Sequence, residues 1–184
     1  MRKNFGAKTY MYPMPVLIIA TYDEEGTPDA MNAAWGGIAD YNQVALCLSE
    51  SHKTTKNILA RKAFTVSMAD AAHVAECDYV GIVSANNVPD KFQRAGFHAV
   101  KSEFVDAPVI EELPMTLECR LNKVTEEGLI IGDIVNVSAD ESILTDGKID
   151  PFKFTPITFD SVNNVYLKLG EPCGKAFGEG KKIK

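Results

Sequence analysis

A chain of 184 residues with 46% hydrophobic and 24% charged side chains can bury a core without metal or disulfide staples, and it fits a single domain over residues 1–184. Its 19 basic and 25 acidic residues give a net charge of −6, which argues against a general nucleic-acid or anionic-membrane binder and expects any anionic ligand to be small. No apolar run reaches bilayer length, and the basic start Met1-Arg2-Lys3 lacks a following apolar stretch and small-residue cleavage site, so a soluble, cytoplasmic protein is expected.

In chain order, Val16 to Tyr22 is a β-branched and apolar run predicted as a strand. Asp23-Glu24-Glu25-Gly26 supplies the turn that reverses it into a second extended segment around Ala30 to Trp35. Val44 to Leu48 is a third strand, followed by a hydroxyl-rich turn and a short helix through Asn57 to Arg61; Phe64 to Met68 then returns as strand. Ala71 to Val83 reads as helical, and another short helix starts near Pro89-Asp90-Lys91-Phe92 and ends at Gly96. Beyond Pro108 the pattern is mostly strand, with Met115 to Val124 and Leu129 to Val137 flanking Thr125-Glu126-Glu127-Gly128 as a long hairpin. Asp146-Gly147 marks a turn, and Pro156 to Phe159 and Val165 to Leu169 are short extended pieces before a Gly- and Lys-rich tail. Short strands with two helical inserts predict a mainly β fold, a small β-barrel with helical decoration rather than a doubly wound sheet.

Chemistry concentrates where the third strand gives way to helix, at Ser49-Glu50-Ser51-His52-Lys53-Thr54-Thr55-Lys56-Asn57-Ile58. Hydroxyls of Ser51, Thr54 and Thr55, the charges of Lys53 and Lys56, and the unpaired N–H groups of a helix start together form a seat for phosphate. The same Ser-x-x-Thr spacing also serves as a plain helix cap. In Met31-Asn32-Ala33-Ala34-Trp35-Gly36-Gly37, small residues around the lone Trp let a flat ligand approach the backbone, or form a Gly-rich bend packed by that Trp. Ser84-Ala85-Asn86-Asn87 before Pro89-Asp90-Lys91 offers amide groups and a lysine in a helix's first turn, or reads as an ordinary polar loop.

Other chemistries lack their signatures. No Gly-x-Gly-x-x-Gly follows a strand, and the tail Gly174 to Lys182 misses the phosphate-loop spacing by one residue. His52, His73 and His98 form no triad or metal pattern, and no nucleophile elbow is present, so hydrolase chemistry has little support. Cys47, Cys77, Cys119 and Cys173 show no Cys-x-x-Cys pair, so no metal site is expected. Cys47 and Cys119 read as buried small hydrophobes, while the state of Cys77 and Cys173 stays open.

In this order, the segments resemble those of the flavin reductase-like proteins, FMN-binding split barrels that include the flavoredoxins. The similarity runs through Pro13-Met14-Pro15-Val16, Asn32-Ala33-Ala34-Trp35, Lys53-Thr54-Thr55-Lys56-Asn57-Ile58 and Asp90-Lys91-Phe92 with Ala95-Gly96-Phe97. It continues at Ala107-Pro108-Val109-Ile110, Leu117-Glu118-Cys119 and Tyr166-Leu167-Lys168-Leu169-Gly170, covering nearly the whole chain. The resemblance implies a six-stranded antiparallel Greek-key split barrel and a homodimer with one FMN per subunit. It implies that Asn32, Ala33, Ala34 and Trp35 line the isoalloxazine, and that Ser49, Ser51, His52, Lys53, Thr54, Thr55 and Asn57 hold the ribityl chain and phosphate. Ser84, Ala85, Asn86 and Lys91 would complete the site. Asn42-Gln43 stands where the family has a proline-rich turn. The implied activity is an FMN-dependent oxidoreductase taking electrons from NAD(P)H or a redox partner protein, with no catalytic side chain because the chemistry sits at flavin N5. The competing reading is a non-enzymatic small-barrel module binding another phosphorylated ligand or nucleic acid.

Overall fold

Apolar runs longer than a half-buried strand allows are the first determinant of this fold. Leu17-Ile18-Ile19-Ala20 has no polar position, because alternate side chains of this strand enter two different cores. The computed structural model describes residues 1–183. Its elements are β1 (Met14–Pro15), β2 (Leu17–Tyr22), β3 (Pro28–Ala33), β4 (Gly36–Asp40), β5 (Gln43–Cys47), α1 (Lys53–Arg61), β6 (Ala63–Met68), α2 (Val74–Ile82) and α3 (Lys91–Arg94). These are followed by β7 (Ala99–Lys101), β8 (Pro108–Ile110), β9 (Met115–Val124), β10 (Leu129–Ala139), β11 (Leu144–Thr145), β12 (Lys148–Ile149), α4 (Pro151–Phe154), β13 (Ile157–Asp160) and β14 (Val165–Lys168).

The main sheet is antiparallel, with strand order β3-β2-β6-β9-β10-β5-β4. It curls into a half-barrel, the mainly β architecture that the sequence predicts. Leu17, Ile19, Leu46, Phe64, Val66 and Ile130 pack inside the curl. On the other face of β2, Ile18 and Ala20 pack with Val80, Phe92, Phe97 and Ile110, so α2, α3 and β8 are pinned to the outside of the sheet. Each fully buried aliphatic side chain contributes about 1.5–3 kcal/mol, so both faces of β2 are strongly determined.

Among the described residues the main sheet has seven strands where six were expected. The addition is β4, an edge strand that its Gly36-Gly37 start conceals, since glycine weakens strand propensity. β4 pairs with β5, placing the Asn42-Gln43 segment at the tip of a hairpin. The helix predicted over 71–83 begins only at Val74, because the buried Asp70 carboxylate accepts the N–H groups of Ala72 and His73, both at 2.9 Å, and holds them in a turn. Cys119 is buried as expected, whereas Cys47 is exposed: along β5, Val44 and Leu46 point inward and Cys47 falls on the opposite face. Cys77 is buried and Cys173 exposed, and all four thiols are free. No helix among the described residues is long and apolar enough to cross a membrane.

Candidate functional site

The turn after β5 delivers the chain into α1 with its first N–H groups free. Lys56 N–H makes the first helical bond, to His52 O at 3.2 Å. Among the described residues, the N–H groups of Lys53, Thr54 and Thr55 have no hydrogen-bond partner, as expected of a helix's first turn. The N-cap position belongs to His52, whose side chain makes no capping bond, and no acidic residue stands in the first turn. Ser51, the residue positioned by the sequence to cap, instead pairs its hydroxyl with that of Ser49 at 2.8 Å. The capping reading of this segment therefore fails, and the positive end of the helix dipole is left facing outward.

Opposite this turn stand the end of α2 and the loop behind it. Asn32, His52, Lys53, Thr54, Ser84, Ala85 and Lys91 line one cleft of about 170 Å³, together with Met31, Gly81 and neighbouring α2 residues. Asn86 closes its rim by donating its side-chain amide to Ser51 O at 3.1 Å, which ties the 84–86 loop to the α1 turn. Gly81 is required at this junction: a Cβ there would stand 2.9 Å from Asn32 Cβ, so only glycine lets α2 lie this close to β3.

Beneath the cleft lies a polar cluster in which Thr54 and Lys91 meet a residue that the sequence motifs do not single out, Asp29. Asp29, buried on β3, accepts the Thr54 hydroxyl at 2.6 Å, and its other oxygen lies 3.4 Å from Lys91 Nζ. Lys91 is buried too, and its ammonium donates to the carbonyls of Val80 and Val83 at 3.2 and 3.1 Å, satisfying the last turn of α2. Burial pushes the Lys91 ammonium below the usual lysine range, and the Asp29 carboxylate opposes that shift. The one signal of Asp29 in sequence is an isolated acid in a short strand whose other residues are uncharged. Asn32 donates to Cys77 O at 3.1 Å and lies 3.5 Å from Tyr166 Oη, which itself donates to Asp78 at 2.7 Å. Burial, reinforced by that bond, pushes the Tyr166 phenol up to about 12, so it stays protonated.

Not every predicted residue reaches this cleft. Ala34 and the half-exposed Trp35 line a second, larger and mostly apolar cleft of about 530 Å³, with Tyr10, Met11, Gly36, Cys47 and Leu129. The segment from Met31 to Trp35 thus borders both clefts. Ala33 packs into the inner core. Asn57 turns inward and donates to Thr21 Oγ1 at 3.1 Å, and Thr55 is buried with its hydroxyl unpartnered among the described residues. Among the described residues, no group of three or more His, Cys, Asp or Glu is arranged to hold a metal.

Comparisons with known proteins bear on the family and the fold. The sequence model of the family described as flavin reductase like domain matches residues 9–158. In structure, the chain is similar to the flavoredoxin of Desulfovibrio vulgaris (Miyazaki F), with a TM-score of 0.95 and 40% identity, covering 98% of this chain and all of that one. The flavoredoxin from Methanosarcina acetivorans superposes with a TM-score of 0.90 at 25% identity over the full length of both chains. An uncharacterised relative from Aeropyrum pernix is 28% identical over 120 residues, and the matched part is 64% of this chain but 45% of the relative, less than half its length.

Proposed function

This chain belongs to the flavin reductase-like family, and on that premise we propose that it is an FMN-dependent oxidoreductase of flavoredoxin type. Electrons enter from NAD(P)H or a protein donor and leave to a further acceptor. The observation that carries the reading is the uncapped start of α1, with three free N–H groups at a turn whose His52, Lys53 and Thr54 line a cleft together with Ser84 and Ala85.

The residues present fit FMN. A dianionic phosphate suits free N–H groups at the positive end of a helix, with Lys53 supplying charge and Ser49, Ser51 and His52 supplying further donors. The unpartnered Thr55 hydroxyl, buried in the same helical turn, is a polar atom that the protein alone does not satisfy. Ser84, Ala85 and Asn86 would flank the ribityl chain, and Asn32, Ala34 and Trp35 would border the ring, with Ala33 packed in the core behind them and the apolar cleft beside Trp35 accommodating a flat heterocycle. When bound, FMN supplies the redox chemistry, accepting a hydride at N5 and passing the electrons on. The chain's own part is to bind, orient and shield, so no general acid or base is required of it.

The likeness to flavoredoxins supports the electron-carrier form of this reading. We further propose a cytoplasmic homodimer, since Trp35, Ile38 and Tyr41 are exposed along the β4 edge, where an unpaired strand and large apolar groups favour a covering partner. Titrating the flavin-free protein with FMN while following flavin fluorescence tests the reading. Saturation at one FMN per chain supports it, and absence of binding overturns it. Steady oxidation of NADH or NADPH with free flavin as acceptor would identify the nicotinamide donor; reduction by a partner protein alone would identify the carrier.

A further inference from the structure

Asp29 is out of place by charge alone. A carboxylate directly beneath a seat for a dianion repels it, and removing the charge should tighten binding. Yet Asp29 is 4% exposed and joined to both walls of the cleft. One oxygen takes the Thr54 hydroxyl at 2.6 Å, fixing the first turn of α1. The other lies 3.4 Å from Lys91 Nζ, without hydrogen-bond geometry, while Lys91 itself donates to Val80 O and Val83 O at the end of α2. One carboxylate therefore connects the N–H groups of α1 to the loop that faces them.

Resting on the FMN reading above, we infer that Asp29 is a positioning residue that sets the width of the phosphate cleft. It holds the Thr54 hydroxyl, and it neutralises Lys91, which holds the end of α2. The Thr54 hydroxyl is thereby committed to protein, so the phosphate is read at this position by backbone N–H. Lys91 acts as a strut joining α3 to α2, and the other lysine on the cleft wall is Lys53, whose ammonium lies 3.8 Å from the Asp23 carboxylate and would turn from it to a phosphate. Both assignments differ from a site in which every hydroxyl and lysine contacts the anion.

The sign of one substitution separates this account from simple electrostatics. In Asp29→Asn the side-chain oxygen still accepts from Thr54, but Lys91 loses its counter-charge, and a buried ammonium without its partner is strongly unfavourable. The experiment compares the dissociation constants of FMN and riboflavin for the wild-type chain and the variant, because riboflavin lacks only the phosphate. The inference predicts that FMN binding weakens on the order of tenfold while riboflavin binding changes by less than about threefold. In a double-mutant cycle with Lys91→Met, the further effect of Asp29→Asn should shrink to about twofold or less, since the pair acts as a unit. Tighter FMN binding by Asp29→Asn, or equal losses for FMN and riboflavin, would overturn the inference. Should Asp29→Asn fail to fold, Asp29→Glu carries the test: it keeps the charge but displaces the carboxylate, and an unchanged FMN to riboflavin ratio would contradict a positioning role. Failure of the wild-type chain to prefer FMN over riboflavin would instead overturn the FMN reading itself.

Discussion

Thr55 places a hydroxyl in the first turn of α1 where nothing among the described residues accepts or donates to it. An unsatisfied buried polar group costs about 1–3 kcal/mol, so Thr55→Val should stabilise the flavin-free protein by about 1 kcal/mol while weakening FMN binding. Thermal melting with and without FMN checks this, and a variant less stable without flavin would show that the hydroxyl already has a partner. A second residue-scale prediction concerns Asp160. Hydrogen bonds from Asn163 and Tyr12 hold its carboxyl at about 2, below the usual 3.8. Its pKa is depressed on folding, so it contributes stability above pH 3.8 that is lost as pH falls through about 2. Urea midpoints at pH 5 and pH 2.5 should therefore converge in Asp160→Asn relative to the wild type, and an unchanged pH slope would refute the assignment. The α1 turn was legible at this scale because hydroxyls and bases cluster in sequence. Asp29 was not, because its partners Thr54 and Lys91 lie 25 and 62 positions further along the chain, and only the fold brings them to one carboxylate.

The elements around the cleft are set by close approaches that tolerate little change. Gly81 of α2 faces Asn32 of β3 with no room for a methyl group, since a Cβ would meet Asn32 Cβ at 2.9 Å. The opposing atom is attached to strand backbone and cannot swing aside, so Gly81→Ala should push α2 from the sheet. A destabilisation of about 1–3 kcal/mol is expected, with weaker FMN binding. Denaturant melts and flavin titration check both, and unchanged binding in a destabilised variant would separate α2 from the site. Gly132 of β10 has an equivalent constraint inside the sheet, where an added Cβ would fall 2.4 Å from Phe64 Cζ. Hairpins with glycine at their turns were readable: Gly26 and Gly128 adopt φ of +84° and +85° at the β2–β3 and β9–β10 reversals. The β4 edge and the late start of α2 were not, since one depends on pairing with β5 and the other on a buried carboxylate accepting two N–H groups.

At the scale of the whole molecule, the barrel class followed from short strands with two helical inserts, because local turn chemistry and strand patterning act before any long-range contact. The strand order did not follow, since β5 pairs with β10 across more than eighty intervening residues. Likewise, the separation of the Asn32 and Trp35 surroundings into two clefts is a consequence of sheet curl that a linear motif does not contain. The exposed β4 edge leads us to expect a light-scattering mass of about twice 20.1 kDa, and a monomer retaining FMN would contradict the dimer. The most direct test of the central claim is a crystal structure of the chain with FMN. The account predicts phosphate oxygens within about 3 Å of the N–H groups of Lys53, Thr54 and Thr55, whereas a phosphate held in another cleft, or a crystal that takes up no flavin, would contradict it.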